Sequence, residues 1–86
     1  MPLPELLGFA AATLTTSAFL PQVAKTWSSG SAQDFSVLWI AMFASGLALW
    51  LVYGIVIGSL SLIAANGLTL ALVLSIAWIK WREPAP

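Results

Sequence analysis

From Phe35 to Ile79 the chain carries no charged side chain. A centred ion costs at least ~2.5–3.5 kcal/mol on insertion scales, so such a run is what the hydrocarbon of a bilayer demands. A second uncharged stretch separates Glu5 from Lys25. Only 7% of the residues are charged, against roughly a quarter in an ordinary soluble domain. That is too few to clothe a water-facing surface. The charged residues Glu5, Lys25, Asp34, Lys80, Arg82 and Glu83 sum to zero, so nothing draws the chain toward nucleic acid. With neither Cys nor His, disulfides are excluded and neither a metal site nor a cofactor is expected.

About 20 helical residues cross ~30 Å of hydrocarbon, which divides the chain into spans at about 4–27, 35–57 and 59–81. Pro4 suits the first helical position and Glu5 the positive end of that helix. The opening Met1–Glu5 lacks the positive n-region of a signal peptide, so a retained helix is expected. Ser28–Asp34 is polar and turn-rich and reads as a loop. Asp34 or Ser36 can cap the second helix. Within the long apolar run, Gly58-Ser59 is the best break, with Gly closing one helix and Ser capping the next. The expected fold is an all-α membrane protein, a bundle of three transmembrane helices in a single unit. A fourth span does not fit the length.

This topology puts Lys25, Lys80 and Arg82 on one face of the membrane and no basic residue on the other. Positive-inside bias then places the N-terminus outside and the C-terminus in the cytoplasm. Trp27, Trp78 and Trp81 fall near the inner edge, where indole rings favour the headgroup level.

Trp50 and Asn66 lie eight residues before and after the Gly58 turn, both therefore about 12 Å deep and near the midplane. Thr13, Thr15, Thr16 and Ser17 reach the same level on the first helix. An unpartnered amide in hydrocarbon costs several kcal/mol, so Asn66 should face protein or a water-filled cavity; an interhelical hydrogen bond serves as well as a ligand. The threonine hydroxyls either bond back to their own helix or meet a substrate. Trp39, Phe43, Gly46, Trp50, Tyr53 and Ile57 form a stripe at helical spacing. Trp39 and Phe43 suit packing or lipid as well as a site, whereas a tryptophan as deep as Trp50 is unlike the interfacial belt. Its flat face and single N–H suit the C–H face and hydroxyls of a sugar. Gly54-Ile-Val-Ile-Gly58 permits close helix approach, within the chain or between chains. Pro21 removes a backbone donor mid-span and makes a static kink or a hinge; Gln22 beside it can bond the freed carbonyls. No residue expected at the midplane titrates, and no nucleophile–base or carboxylate pair lies in the membrane. A proton relay and an enzyme are both disfavoured.

Phe19-Leu20-Pro21-Gln22-Val23-Ala24-Lys25-Thr26, together with Trp50-Leu51-Val52-Tyr53-Gly54 and Ala65-Asn66-Gly67, resembles the PQ-loop family of SemiSWEET and SWEET sugar transporters along almost the whole chain. The resemblance implies a third helix lying between the first and second, and two parallel copies forming a six-helix homodimer around a central pathway. It implies uncoupled transport of a neutral mono- or disaccharide by alternating access. Trp50 and Asn66 would bind the sugar, Tyr53 would be the outer gate, Trp39 and Phe43 the inner gate, and Pro21-Gln22 the hinge. Parallel repeats are an established transporter plan, and six helices enclose a sugar-wide route where three do not. Many members carry Arg and Asp near the positions of Ile57 and Ser59. Without them the outer gate should close by aromatic and apolar contact rather than an ion pair. The expected partners are a second identical subunit, a small neutral sugar and the lipid bilayer, and the expected location is the cell inner membrane. The competing reading is a non-transporting holin-like or accessory subunit held by GxxxG packing. A PQ-loop carrier of cationic or amino-acid substrates would want an acidic residue within a span.

Overall fold

The computed structural model describes residues 2–84, folded as α1 (Leu3–Ser29), α2 (Val37–Ile57) and α3 (Leu60–Arg82), with no strand among them. All three helices are long and apolar enough to cross a membrane. Their ends follow from local chemistry. Pro2 is the N-cap of α1, so Pro4 occupies the second helical position rather than the first. At the other end Gly30 adopts φ 69° and its N–H donates to the Thr26 carbonyl at 2.9 Å. This left-handed cap carries α1 two residues past the expected Trp27. The second helix begins at Val37 rather than at Phe35, because Ser36 is its cap and accepts from the Trp39 N–H at 2.9 Å. Asp34 does not take that role.

The Gly58-Ser59 break is as the sequence predicts. Gly58 has φ 71°, its N–H donates to the Ile55 carbonyl at 3.2 Å, and the Ser59 N–H donates to the Gly54 carbonyl at 2.9 Å. That pair of bonds satisfies two carbonyls at the end of α2 and lets the chain reverse within one residue. Ser59 then caps α3 by accepting from the Leu62 N–H at 3.3 Å.

α3 packs against both α1 and α2, whose backbones do not approach each other. The order across the bundle is therefore 1-3-2. The core follows from that arrangement. Val73, Ile76 and Ile79, all on α3, are fully buried, with Val23 of α1, Ile40 and Leu47 of α2, and Ala32 of the loop around them. Backbones come closest at glycines. A Cβ on Gly54 would lie 2.8 Å from Leu62 Cβ and 3.2 Å from the Ile63 backbone nitrogen, and one on Gly8 would lie 2.9 Å from Ser61 Cβ. Gly54 thus closes the α2–α3 hairpin of its own chain and Gly58 makes the turn. Both glycines of the GxxxG pattern are used within the chain.

Two carboxylates clasp the bundle at opposite ends. Glu5 of α1 accepts from Ser59 Oγ at 2.6 Å, from the Ser61 N–H at 2.8 Å and from Ser61 Oγ at 3.0 Å. Besides lying in the first turn of its own helix, it serves the exposed donors at the N-terminus of α3, where a negative charge is favoured. Glu83, just past α3, accepts from Ser31 Oγ and from the Ala32 N–H at 3.0 Å. The Ser31 and Ala32 hydrogen bonds, aided by the Lys80 charge, hold the Glu83 carboxyl below its ordinary value of 4.5 despite some desolvation. Lys80 Nζ also donates to the Ala32 carbonyl at 3.3 Å. The loop between α1 and α2 is polar in sequence, yet this clasp buries its Ala32 almost completely.

Candidate functional site

Because the backbones of α1 and α2 each meet α3 but not one another, a groove remains between the two outer helices, with α3 as its floor. Its volume is about 830 Å³, within the ~300–1,000 Å³ usual for small-molecule sites. Thr15, Thr16, Phe19 and Gln22 of α1 form one wall, Trp39, Phe43 and Leu47 of α2 the other, and Asn66 and Thr69 of α3 the floor. Phe35 and Ser36 of the loop close the Gly30 end, where Asp34 also reaches the rim. The Asp34 carboxylate, 3.9 Å from Lys25 Nζ, is highly exposed, so the pair contributes little.

The aromatic walls form one connected cluster. Trp39 stacks at a tilt on Phe35 at 5.1 Å and on Phe43 at 5.0 Å between ring centroids. Phe19 of α1 meets Phe43 edge-on at 6.2 Å and Trp39 at 6.4 Å. These spacings lie in the attractive range for aromatic pairs. Between the Gly30 end of the groove and its middle, the cluster therefore bridges α1 to α2 directly, where their backbones stay apart.

The polar floor is sparse. Asn66 Nδ2 donates to the Leu62 carbonyl at 2.9 Å, which leaves its carbonyl oxygen and second N–H hydrogen for a ligand. Of the α1 hydroxyls, Thr13 donates to the Phe9 carbonyl at 2.8 Å and Thr15 to the Ala11 carbonyl at 3.1 Å. Back-bonding thus accounts for these two. Thr16 instead meets Thr69 of α3, with the two hydroxyl oxygens 3.2 Å apart.

Trp50 and Tyr53 lie elsewhere. They pack edge-to-face at 5.6 Å and line, with Gly46 and Leu49, a shallower hollow of about 320 Å³ on α2. Trp50 is 55% exposed and Tyr53 51%, so both rings stand open along one side of α2. The predicted stripe of α2 is thus divided, with Trp39 and Phe43 on the groove and Trp50 and Tyr53 beyond it. Asn66 shares the groove with Trp39, Phe43 and Gln22, whereas Trp50 does not line that groove. Pro21 sits exposed inside an unbroken α1, one residue from Gln22.

Sequence reasoning overlooked Phe19, Phe35 and Thr69 as lining residues. Thr69 carried a signal, being three residues past Asn66 and so on the same helical face. Phe19 and Phe35 had none, since their role depends on how helices approach across the bundle. Chemically, the groove offers aromatic faces, neutral hydroxyls and carboxamides. Among the described residues no group of His, Cys, Asp and Glu is placed to hold a metal ion.

The chain is similar to known proteins. Residues 3–63 match the model of the PQ loop repeat. The chain is 45% identical to the sugar transporter SemiSWEET of Bradyrhizobium diazoefficiens, over 91% of each chain. It is 42% identical to the protein of the same name from Leptospira biflexa, over 92% of this chain and 93% of that one. The fold superposes on the crystal structure of a bacterial homologue of SWEET transporters with a TM-score of 0.83 and 37% identity, covering 94% of this chain and 98% of the other. With its Pro21-Gln22 pair inside the first helix, its 1-3-2 helix order and these relatives along nearly its full length, the chain belongs to the SemiSWEET group of the PQ-loop family.

Proposed function

We propose that the chain moves a neutral mono- or disaccharide across the inner membrane, down the sugar's own gradient, as a parallel homodimer that exposes its site alternately to each side. The observation that carries this reading is the half-walled groove. Asn66 and aromatic rings face a cavity of about 830 Å³ that one chain leaves partly open, and the exposed Trp50 lies on the same open helix. A second copy related by a twofold axis along the membrane normal supplies the missing wall. Two Trp50 and two Asn66 at one height then embrace the sugar, with indole faces on its C–H surface and carboxamides on its hydroxyls. The names of the relatives point to the same substrate class and to a transporter rather than an enzyme.

Tyr53 lies nearer the Gly58 turn and forms the outer gate; Trp39 and Phe43 lie nearer Gly30 and form the inner gate. In place of the ion pair at the outer rim of many members, Glu5 clasps Ser59 within the chain, so outward closure rests on aromatic and apolar contact. Pro21, whose ring leaves the Ser17 carbonyl without its usual N–H partner, is the hinge together with Gln22. Apart from Asp34 at its rim, the groove is lined by neutral groups, which fits transport without a coupling ion. The gathering of Lys25, Lys80 and Arg82 at the Gly30 end supports a cytoplasmic location for that end, with the N-terminus outside. The accessory-subunit reading depended on GxxxG packing between chains, and the burial of Gly54 against its own α3 removes its main support.

The test is uptake of radiolabelled glucose and sucrose into proteoliposomes. Trp50→Ala and Asn66→Ala should each abolish most of it, and uptake unchanged in both would refute the assignment. A pH gradient imposed across the liposome should leave the final sugar level unchanged. Accumulation against the sugar gradient would overturn the uncoupled mechanism.

A further inference from the structure

Several hydroxyls of these helices bond back onto their own backbone. Thr13, Thr15, Thr26 and Ser75 each donate to a backbone carbonyl three or four residues earlier in their own helix. This is the usual resting place for a hydroxyl in hydrocarbon, because the carbonyl is always present. Thr16 and Thr69 do otherwise. Their oxygens lie 3.2 Å apart, one on α1 and one on α3, and both line the groove, where Thr69 follows Asn66 on the same face. Two hydroxyls carry two hydrogens, and the bond between them uses one. The second hydrogen and several lone pairs stay unspent in a half-buried, largely apolar setting, where unmet polar groups are costly.

From this juxtaposition we infer that the Thr16–Thr69 pair is a sugar-hydroxyl subsite and a specificity determinant, one helical turn from Asn66. The inference rests on the reading of the groove as a sugar site. A hydroxyl pair is both donor and acceptor, and so is each sugar hydroxyl. The pair can turn its free hydrogen toward an incoming oxygen and accept that oxygen's own hydrogen in return. Phe19, on the same helix as Thr16, flanks the subsite with an aromatic wall. A solute with vicinal hydroxyls satisfies the pair and Asn66 together. One lacking the relevant hydroxyl leaves the threonines bonded only to each other and gains nothing for the water it displaces. Selectivity of this kind comes from the partner left unpaired rather than from cavity width.

The experiment measures sugar affinity of the purified, lipid-reconstituted protein from its tryptophan fluorescence, using glucose and a series of singly deoxygenated glucoses. In the native protein at least one deoxy analogue should bind about five- to tenfold more weakly than glucose, the usual effect of one hydrogen bond. In T16V/T69V, which removes both hydroxyls at once and orphans neither, glucose itself should weaken by a similar factor and the penalty for that analogue should vanish. Thr69→Ser keeps the hydroxyl and loses the methyl, so it should retain both affinity and discrimination, and it serves where the double variant does not fold. Discrimination that survives in T16V/T69V, or is lost in Thr69→Ser, overturns the subsite. Asn66→Ala separates the two levels of the argument. If Asn66→Ala abolishes binding while T16V/T69V matches the native protein, the subsite fails and the sugar site stands. If Asn66→Ala and Trp50→Ala both bind glucose normally, the sugar site fails and the subsite falls with it.

Discussion

Gly54→Ala is the sharpest probe of how the hairpin is built. A Cβ there would meet Leu62 Cβ at 2.8 Å and the Ile63 backbone nitrogen at 3.2 Å. Neither atom can swing away, since one is fixed to its backbone and the other belongs to it. Ordinary carbon contacts lie at ~3.5–4.0 Å, so α2 and α3 must separate by roughly 0.7 Å at this point. Overpacking of this kind costs ~1–3 kcal/mol. The better helix propensity of alanine returns ~1 kcal/mol. The net loss is about 1 kcal/mol, equivalent to a fall in Tm of roughly 4–8 °C for a domain of this size. Gly46→Ala is the control, because a Cβ at Gly46 meets nothing within 4 Å; its Tm should hold or rise. Thermal unfolding in detergent, followed by tryptophan fluorescence alongside size-exclusion chromatography, reads both. An unchanged Tm for Gly54→Ala would refute the packing argument. Should that variant instead keep its Tm and fall apart into single chains, the close contact at Gly54 lies between chains.

The Glu83 clasp gives a pH prediction with a defined sign. Its folded pKa is depressed below 4.5 by the Ser31 and Ala32 hydrogen bonds, so its stabilisation is complete above the unfolded value and is lost as pH falls through the folded one. Amide exchange at Ala32 should stay slow from neutral pH down to the carboxylate range, once corrected for intrinsic rates, and quicken only below it. Glu83→Gln should flatten that dependence, and an unaltered profile in the variant would assign the effect to another group. Pro21→Ala restores an N–H to α1, so it should raise Tm while slowing sugar exchange far more than it changes sugar affinity. A weakened affinity with unaltered exchange would make Pro21 a binding residue rather than a hinge.

The spans and the Gly58-Ser59 reversal were legible in the sequence because each is local, and the cap of α2 was legible to within Asp34 or Ser36. An uncharged run, a glycine and a serine carry their own physical meaning wherever the chain goes. The clasps were not legible. Glu5 had a sufficient local reading at the start of α1, and nothing along the chain announces Ser59 and Ser61 as its partners across the bundle. Glu83 looked like the residue that ends a helix, and the loop it holds looked merely polar. Position along the helix could be counted for Trp50 and Asn66, eight residues either side of the Gly58 turn. Direction could not, since height along a helix says nothing of azimuth relative to a neighbour, and the two residues line different cavities of one chain. Thr69 sat in plain view three residues from Asn66, but a threonine on a membrane helix is ordinarily a back-bonded one. Only its distance from Thr16 sets it apart.

The placing of α3 between its neighbours bears on how such a chain can change over generations. Val73, Ile76 and Ile79 have no exposed surface, and α3 is the only helix that both others rest upon. A methyl gained or lost at those positions disturbs the packing of the bundle, whereas Leu68, Ala71, Leu74 and Trp78 stand exposed on the same helix and leave room for almost any apolar shape. Mutational drift should therefore be lopsided, nearly frozen along one edge of a single helix and free along the edge behind it.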